Sequence, residues 1–249
     1  INKKVGGEAV HQYVFVSSYR SFIKEISMST KKPNILLIMS DEHDPAVTGC
    51  YGDTIVNTPN LDKLAADGII FDTAYTTSPL CVPARLSFTA GKYVSNCEAW
   101  GNSRMLPTAE YPSLPRLLNA AGYESILGGK MHFDAERRYG FEDLYDTRHR
   151  QNKHYKKGTS KRLAADNQVP NLQSWKARSA EFFVGEESEI MDVDKDVTRY
   201  CSEFLRSRSA DDKPFFLLAG YLAPHFPLIV PEEYAGKYVD KVPMPEIPE

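Results

Sequence analysis

Hydrophobic positions fall into two patterns along this chain: short unbroken runs, and longer stretches with helical spacing. Asn34-Ile35-Leu36-Leu37-Ile38-Met39 is an unbroken run, the mark of a strand buried on both faces of a parallel sheet. Ile69 to Tyr75 reads as a second strand, Tyr123 to Leu127 as a third, and Phe215 to Leu222 as another fully buried one. Between them lie helical segments with their own punctuation. Thr58 to Gly68 has Thr58 as a cap, Pro59 at the first position and Gly68 as a stop. Cys81 to Gly91 and Ser113 to Gly122 repeat that grammar, and each closes on a glycine. Glu187 to Arg208 is the longest helical pattern, with Ile190, Val193, Val197, Tyr200, Cys201, Phe204 and Leu205 on one face. Strands alternating with helices predict an α/β layer architecture.

Three stretches carry no such pattern. Residues 1–27 show no clean period, and Met28-Ser29-Thr30-Lys31-Lys32-Pro33 reads as a natural start, so residues 1–30 are expected to be a leader or extension, even a non-native one. From about 134 to 185 the chain is irregular and polar, which marks an insertion. It is locally basic at Lys153 to Lys157 and at Lys161-Arg162, where a solvated surface is the simpler reading. After Pro227 the chain is a proline-rich tail.

Composition narrows the class. The hydrophobic share of 42% and charged share of 25% are those of an ordinary globular protein. A formal net charge of -3 gives no electrostatic case for nucleic acid or an anionic membrane as a partner. Cys50, Cys81, Cys97 and Cys201 are scattered, with no CxxC pair, which argues against a zinc ribbon or disulfide scaffold and fits a reducing compartment. With no recognisable signal peptide the expected location is cytoplasmic, or periplasmic or secreted if the native N-terminus differs.

The candidate chemistry gathers at element ends. The first run ends in Ser40-Asp41-Glu42-His43-Asp44, the third leads into Gly128-Gly129-Lys130-Met131-His132, and the last ends in Ala223-Pro224-His225-Phe226-Pro227. Ligand sites of open α/β sheets lie at the carboxyl ends of strands. Cys81-Val82-Pro83-Ala84-Arg85 opens a helix, so free N–H groups and the dipole face Cys81, with Arg85 one turn on. Lys130 and His132 are two apart and would share one side of an extended segment. Together these residues suit a small oxyanion such as sulfate or phosphate. Taken alone, Cys81 and His225 would each be read as core residues.

The ordered set Asp41-Glu42, Asn60 to Gly68, Cys81 to Arg85, Gly129 to His132 and Pro224 to Pro227 resembles the sulfatase family, a branch of the alkaline phosphatase superfamily. The resemblance spans roughly Lys32 to Tyr238 and makes residues 31–249 the N-terminal part of a sulfatase catalytic domain. It implies a mostly parallel central sheet with helices on both faces. It also implies hydrolysis of a sulfate monoester, with Cys81 oxidised to formylglycine by a maturation enzyme. Asp41, Glu42 and the modified Cys81 would be metal ligands, with Ca²⁺ the usual ion and Mg²⁺ or Mn²⁺ the alternatives. Arg85 would stabilise the nucleophile and the developing charge, while Lys130 would hold sulfate oxygens. His132 would take a proton as the sulfated diol breaks down, and His225 would assist the leaving group. His43 and Asp44 remain candidates for substrate contact, and an oligomer is compatible with the sequence.

The family's further metal-binding Asp, in a Ser-Asp-His-Gly-like run, and a later lysine have no match after His225. The resemblance therefore implies a fold cut short at its C-terminal side. Such a chain is expected to bind metal weakly, to lack efficient activity by itself, and to expose sheet edges and apolar surface. Two other functions fit the same residues. One is a phosphonate monoester or phosphodiester hydrolase of the same superfamily, and the other is a non-catalytic module that merely holds an anion.

Overall fold

The computed structural model describes residues 32–134, 136–145, 182–185, 189–226, 228–238 and 241. The chain divides into two units, 1–34 and 35–249. The expected leader at 1–30 and the basic clusters at 153–157 and 161–162 lie outside the described residues.

Four parallel strands form the central sheet. They are β1 (Ile35–Met39), β2 (Glu124–Gly129), β3 (Glu142–Asp143) and β5 (Phe215–Gly220), in the order β1-β5-β2-β3. A separate parallel pair joins β4 (Phe182–Val184) to β6 (Leu228–Val230). The helices are α1 (Pro59–Asp67), α2 (Cys81–Ala90), α3 (Val94–Cys97), α4 (Leu114–Ala120), α5 (Glu189–Ser207) and α6 (Glu232–Tyr238).

The central strand β5 is apolar throughout because it is buried throughout. Its alternation divides the core in two. Phe216 and Leu218 join Val82 and Leu86 of α2, Leu127 of β2, and Tyr139 and Phe141. Leu217 and Ala219 point the other way, onto Val193, Val197 and Cys201 of α5. Helices thus cover both faces of a parallel sheet, as the resemblance implied. Cys201 is core, as its place on the apolar stripe suggested.

Several local expectations need correction. β1 is buried on one face only. Ile35, Leu37 and Met39 pack inward, while Leu36 and Ile38 are 46% and 58% exposed. Leu36 and Ile38 join neither core cluster, and among the described residues β1 is an edge strand that pairs with β5 alone. Ile69 to Tyr75 forms no strand, since no ladder is offered to it, and Ile69, Phe71 and Tyr75 stand 78%, 68% and 88% exposed. These are the open edge and apolar surface expected of the chain.

Thr58 occupies the cap position of α1, but its side chain caps no helix amide. Its hydroxyl instead accepts from Gly49 N–H at 2.8 Å and donates to Asp62 at 3.0 Å. The stretch read as irregular from 134 begins with order, because Tyr139 and Phe141 are buried and Glu142 and Asp143 extend the sheet. The tail, too, contains regular structure in β6 and α6.

β2 and β5 close to van der Waals distance at their carboxyl ends. A Cβ on Gly220 would meet the backbone of Lys130, and one on Gly129, at φ 101°, would meet the Gly220 carbonyl. Gly220→Ala therefore forces these two strand ends apart. A loss of about 1–3 kcal/mol is expected in urea unfolding; an unchanged midpoint would contradict the close approach.

Candidate functional site

Parallel strands deliver their carboxyl ends to one edge of a sheet, and here three neighbours, β1, β5 and β2, do so side by side. Lys130 N–H donates to Gly220 O at 2.8 Å, and Tyr221 N–H donates to Met39 O at 2.8 Å, so the strand ends are stitched together beyond the ladder. Asp41 follows β1, Lys130 and His132 follow β2, and His225 follows β5. The N-terminus of α2 adds Cys81, with Leu80 at the cap position and Asn102 Oδ1 accepting from Val82 N–H at 3.0 Å.

Asp41 is the hub. It is buried, and its two oxygens accept from Arg85 Nη2 at 3.0 Å and from Lys130 Nζ. Burial pushes its carboxyl pKa up, but Lys130 and Arg85 outweigh burial and hold it below the usual carboxylate range. Arg85 is itself buried. Its Nη1 also donates to the Lys130 carbonyl at 3.0 Å and contacts the sulfurs of Met39 and Met131. One guanidinium on α2 thereby ties together the ends of β1 and β2.

Asp41, Cys81 and His225 each present a ligand atom, all within 4.8 Å of one another. Glu42 lies outside that group. Its half-exposed carboxylate approaches His225 Nε2 at 3.9 Å, and its backbone is left-handed at φ 57°. His132 is left-handed as well, at φ 58°, so Lys130 and His132 do not share an extended segment as expected. Backbone strain at two non-glycine residues of one site is a mark of constraint by the surrounding packing. Burial, then the charges of Lys130 and Arg85, push the His132 pKa down to about 4, which leaves a neutral imidazole at neutral pH.

Sequence reasoning missed the residues that hold the His225 loop. Asp194 on α5 accepts from Leu222 N–H at 2.7 Å and from Ala223 N–H at 2.9 Å, and Thr198 Oγ1 lies 3.1 Å from Tyr221 Oη. The only signal was a pair of polar residues, four apart, beside the apolar stripe of that helix. Burial raises the Asp194 pKa despite those two amide bonds. Among the described residues His43 reaches Thr48, at 2.8 Å, and Asp44 caps Ala46. A cleft of about 590 Å³, lined by Arg116, Asn119, Glu124 and Lys213 among others, lies near the opposite ends of the strands.

The Sulfatase family profile matches residues 33–247. The sulfatase YidJ of Escherichia coli K12 is 30% identical over 219 residues, which cover 84% of this chain and 42% of that protein. The choline-sulfatase of Rhizobium meliloti is 32% identical over 228 residues, covering 86% and 42%. Human iduronate 2-sulfatase is 25% identical over 239 residues, covering 90% and 42%. A structure solved with its substrate D-glucosamine-2-N,6-O-disulfate superposes with a TM-score of 0.61 at 24% identity, covering 86% of this chain and 39% of the other. Phosphonate monoester hydrolase of Agrobacterium radiobacter gives 0.57 at 21%, covering 83% and 44%. The chain thus spans about 42% of the length of each of these three sulfatases.

The depressed His132 pKa has a consequence for stability. The unfolded chain takes up this proton near pH 6.5 and the folded chain only near 4, so falling pH favours unfolding across that window. His132 is expected to remove on the order of 2–3 kcal/mol between those limits. Urea unfolding of the parent and of His132→Gln checks this: the variant should lose less stability over the window, and identical slopes would refute the buried neutral imidazole.

Proposed function

The chain belongs to the sulfatase family, and from that premise we propose that it is the part of a sulfuric ester hydrolase that carries the nucleophile. The observation that supports this reading best is the meeting of Asp41, Cys81 and His225, far apart in sequence, within 4.8 Å. In this reading Cys81 is converted to formylglycine, whose hydrated aldehyde supplies the attacking oxygen. The donor set fits a hard divalent cation, because the ionised Asp41 and the adjacent Glu42 offer carboxylate oxygens at the strand end. Asp41, Glu42 and the modified Cys81 would hold it, with Ca²⁺ the first choice and Mg²⁺ or Mn²⁺ the alternatives; such a cation lowers the pKa of a bound hydroxyl.

The chain's own groups then divide the work. Arg85 fixes the Asp41 carboxylate and adds positive potential where charge develops on the transferred group. Lys130 is the second cation of the site and attracts the sulfate oxygens. His132, neutral at physiological pH, accepts a proton when product forms. His225 assists the departing alcohol at the ester oxygen, and the loop that carries it is held by Asp194. The substrate is a small sulfate ester, and the partner in maturation is a formylglycine-generating enzyme.

Phosphonate monoester hydrolysis is the second reading, favoured by the likeness of fold to two phosphonate monoester hydrolases. Two measurements decide. On co-expression with a formylglycine-generating enzyme, the peptide carrying Cys81 should lose mass equal to the difference between H₂S and O; an intact thiol favours an anion-binding module. The full-length protein carrying the converted Cys81 should then turn over an aryl sulfate faster than an aryl phosphonate, and the reverse preference would replace the first reading with the second.

A further inference from the structure

We propose that, while Cys81 is still a thiol, Asp41, Cys81 and His225 form a binding site for a borderline-soft divalent cation of the Zn²⁺ class. This inference concerns the unconverted chain and does not depend on the hydrolase reading. Three different elements supply the donors: the end of β1, the first residue of α2 and the loop after β5. Their oxygen, sulfur and nitrogen atoms lie within 4.8 Å of one another, close enough to converge on one ion.

The histidine is set up for the purpose. His225 Nδ1 lies 2.6 Å from the Phe226 carbonyl oxygen, and the imidazole stacks on the Phe226 ring at 4.2 Å between centroids. A carbonyl only accepts, so Nδ1 carries a proton, and in the neutral imidazole the lone pair is on Nε2. Metal-ligating histidines show this pattern, with the second nitrogen donating to a carbonyl or carboxylate that fixes tautomer and ring orientation. The Asp41 carboxylate is clamped by Arg85 and Lys130. Each oxygen uses one lone pair in that clamp and retains another.

Charge balance permits a dication. Asp41, Glu42 and a Cys81 thiolate carry three negative charges, against two positive charges on Arg85 and Lys130. As the metal–sulfur bond forms, the Cys81 proton leaves to solvent, and the half-exposed Glu42 or water completes a tetrahedral shell. Sulfur decides the selectivity: thiolate and imidazole favour Zn²⁺ or Co²⁺, whereas Ca²⁺ and Mg²⁺ prefer oxygen alone. Replacing the thiol by an oxygen function would then move the same pocket from soft to hard cations.

The test uses the 249-residue chain, produced without a maturation enzyme and titrated with Co²⁺ alone. One equivalent should raise a near-ultraviolet thiolate-to-cobalt charge-transfer band that added Zn²⁺ abolishes and the same concentration of Ca²⁺ does not. Cys81→Ser should lose the band, and Cys50→Ser, at the other partly exposed thiol, should keep it. His225→Gln, whose fold is checked by circular dichroism, should weaken Co²⁺ binding by at least about tenfold. A band that survives Cys81→Ser, that His225→Gln leaves at parental affinity, or that never forms would overturn the proposal.

Discussion

Everything at the edge of this sheet is organised by one buried carboxylate and the two cations it holds. Asp41 costs free energy to bury, and Lys130 and Arg85 outweigh that cost and favour its ionised form. Because the three groups come from three elements, satisfying that charge requires β1, α2 and the end of β2 to arrive at one point. The same requirement brings Cys81, one turn before Arg85, to the neighbourhood of His225. A structural demand and a chemical one thus coincide. The ion cluster that closes the sheet edge is also the one that can address an anion or a metal.

Much of this was legible before the structure. β5 and the helices α2, α4 and α5 follow directly from unbroken apolar runs, glycine stops and an apolar stripe. The convergence of Asp41, Cys81, Lys130 and His225 followed from chain order and from the placement of ligands at strand ends. What was not legible depends on partners that local sequence does not name. Ile69 to Tyr75 has the composition of a strand, but a strand exists only with a ladder beside it. β1 has the composition of a central strand, yet among the described residues it is an edge strand whose Leu36 and Ile38 join neither core cluster. The left-handed backbone at Glu42 was equally hidden, since glutamate does not advertise it, and at His132 the residue type gave only a faint signal, histidine being enriched among left-handed residues. Asp194 escaped notice because its role lies in the amides of Leu222 and Ala223, 28 and 29 positions away.

The fold reaches the site from both faces. On one, α2 brings the cysteine and the arginine; on the other, α5 holds the loop that carries His225. The strand ends between them are pinned by the near contact of Gly129 with Gly220. Geometry of this kind is set by backbone and buried charge rather than by exposed loops. Under the proposals above, which ion the pocket prefers turns on a single atom at position 81, sulfur or oxygen.

The central claim is that Asp41 and its cations act as a unit. A double-mutant cycle in urea unfolding of the chain, with Asp41→Asn, Lys130→Met and the two combined, addresses it most directly. Each single change should cost about 3–5 kcal/mol by stranding a buried charge, and the pair should cost less than the sum by about 1–3 kcal/mol. Losses that add to within about 0.5 kcal/mol would show two independent residues and contradict the account.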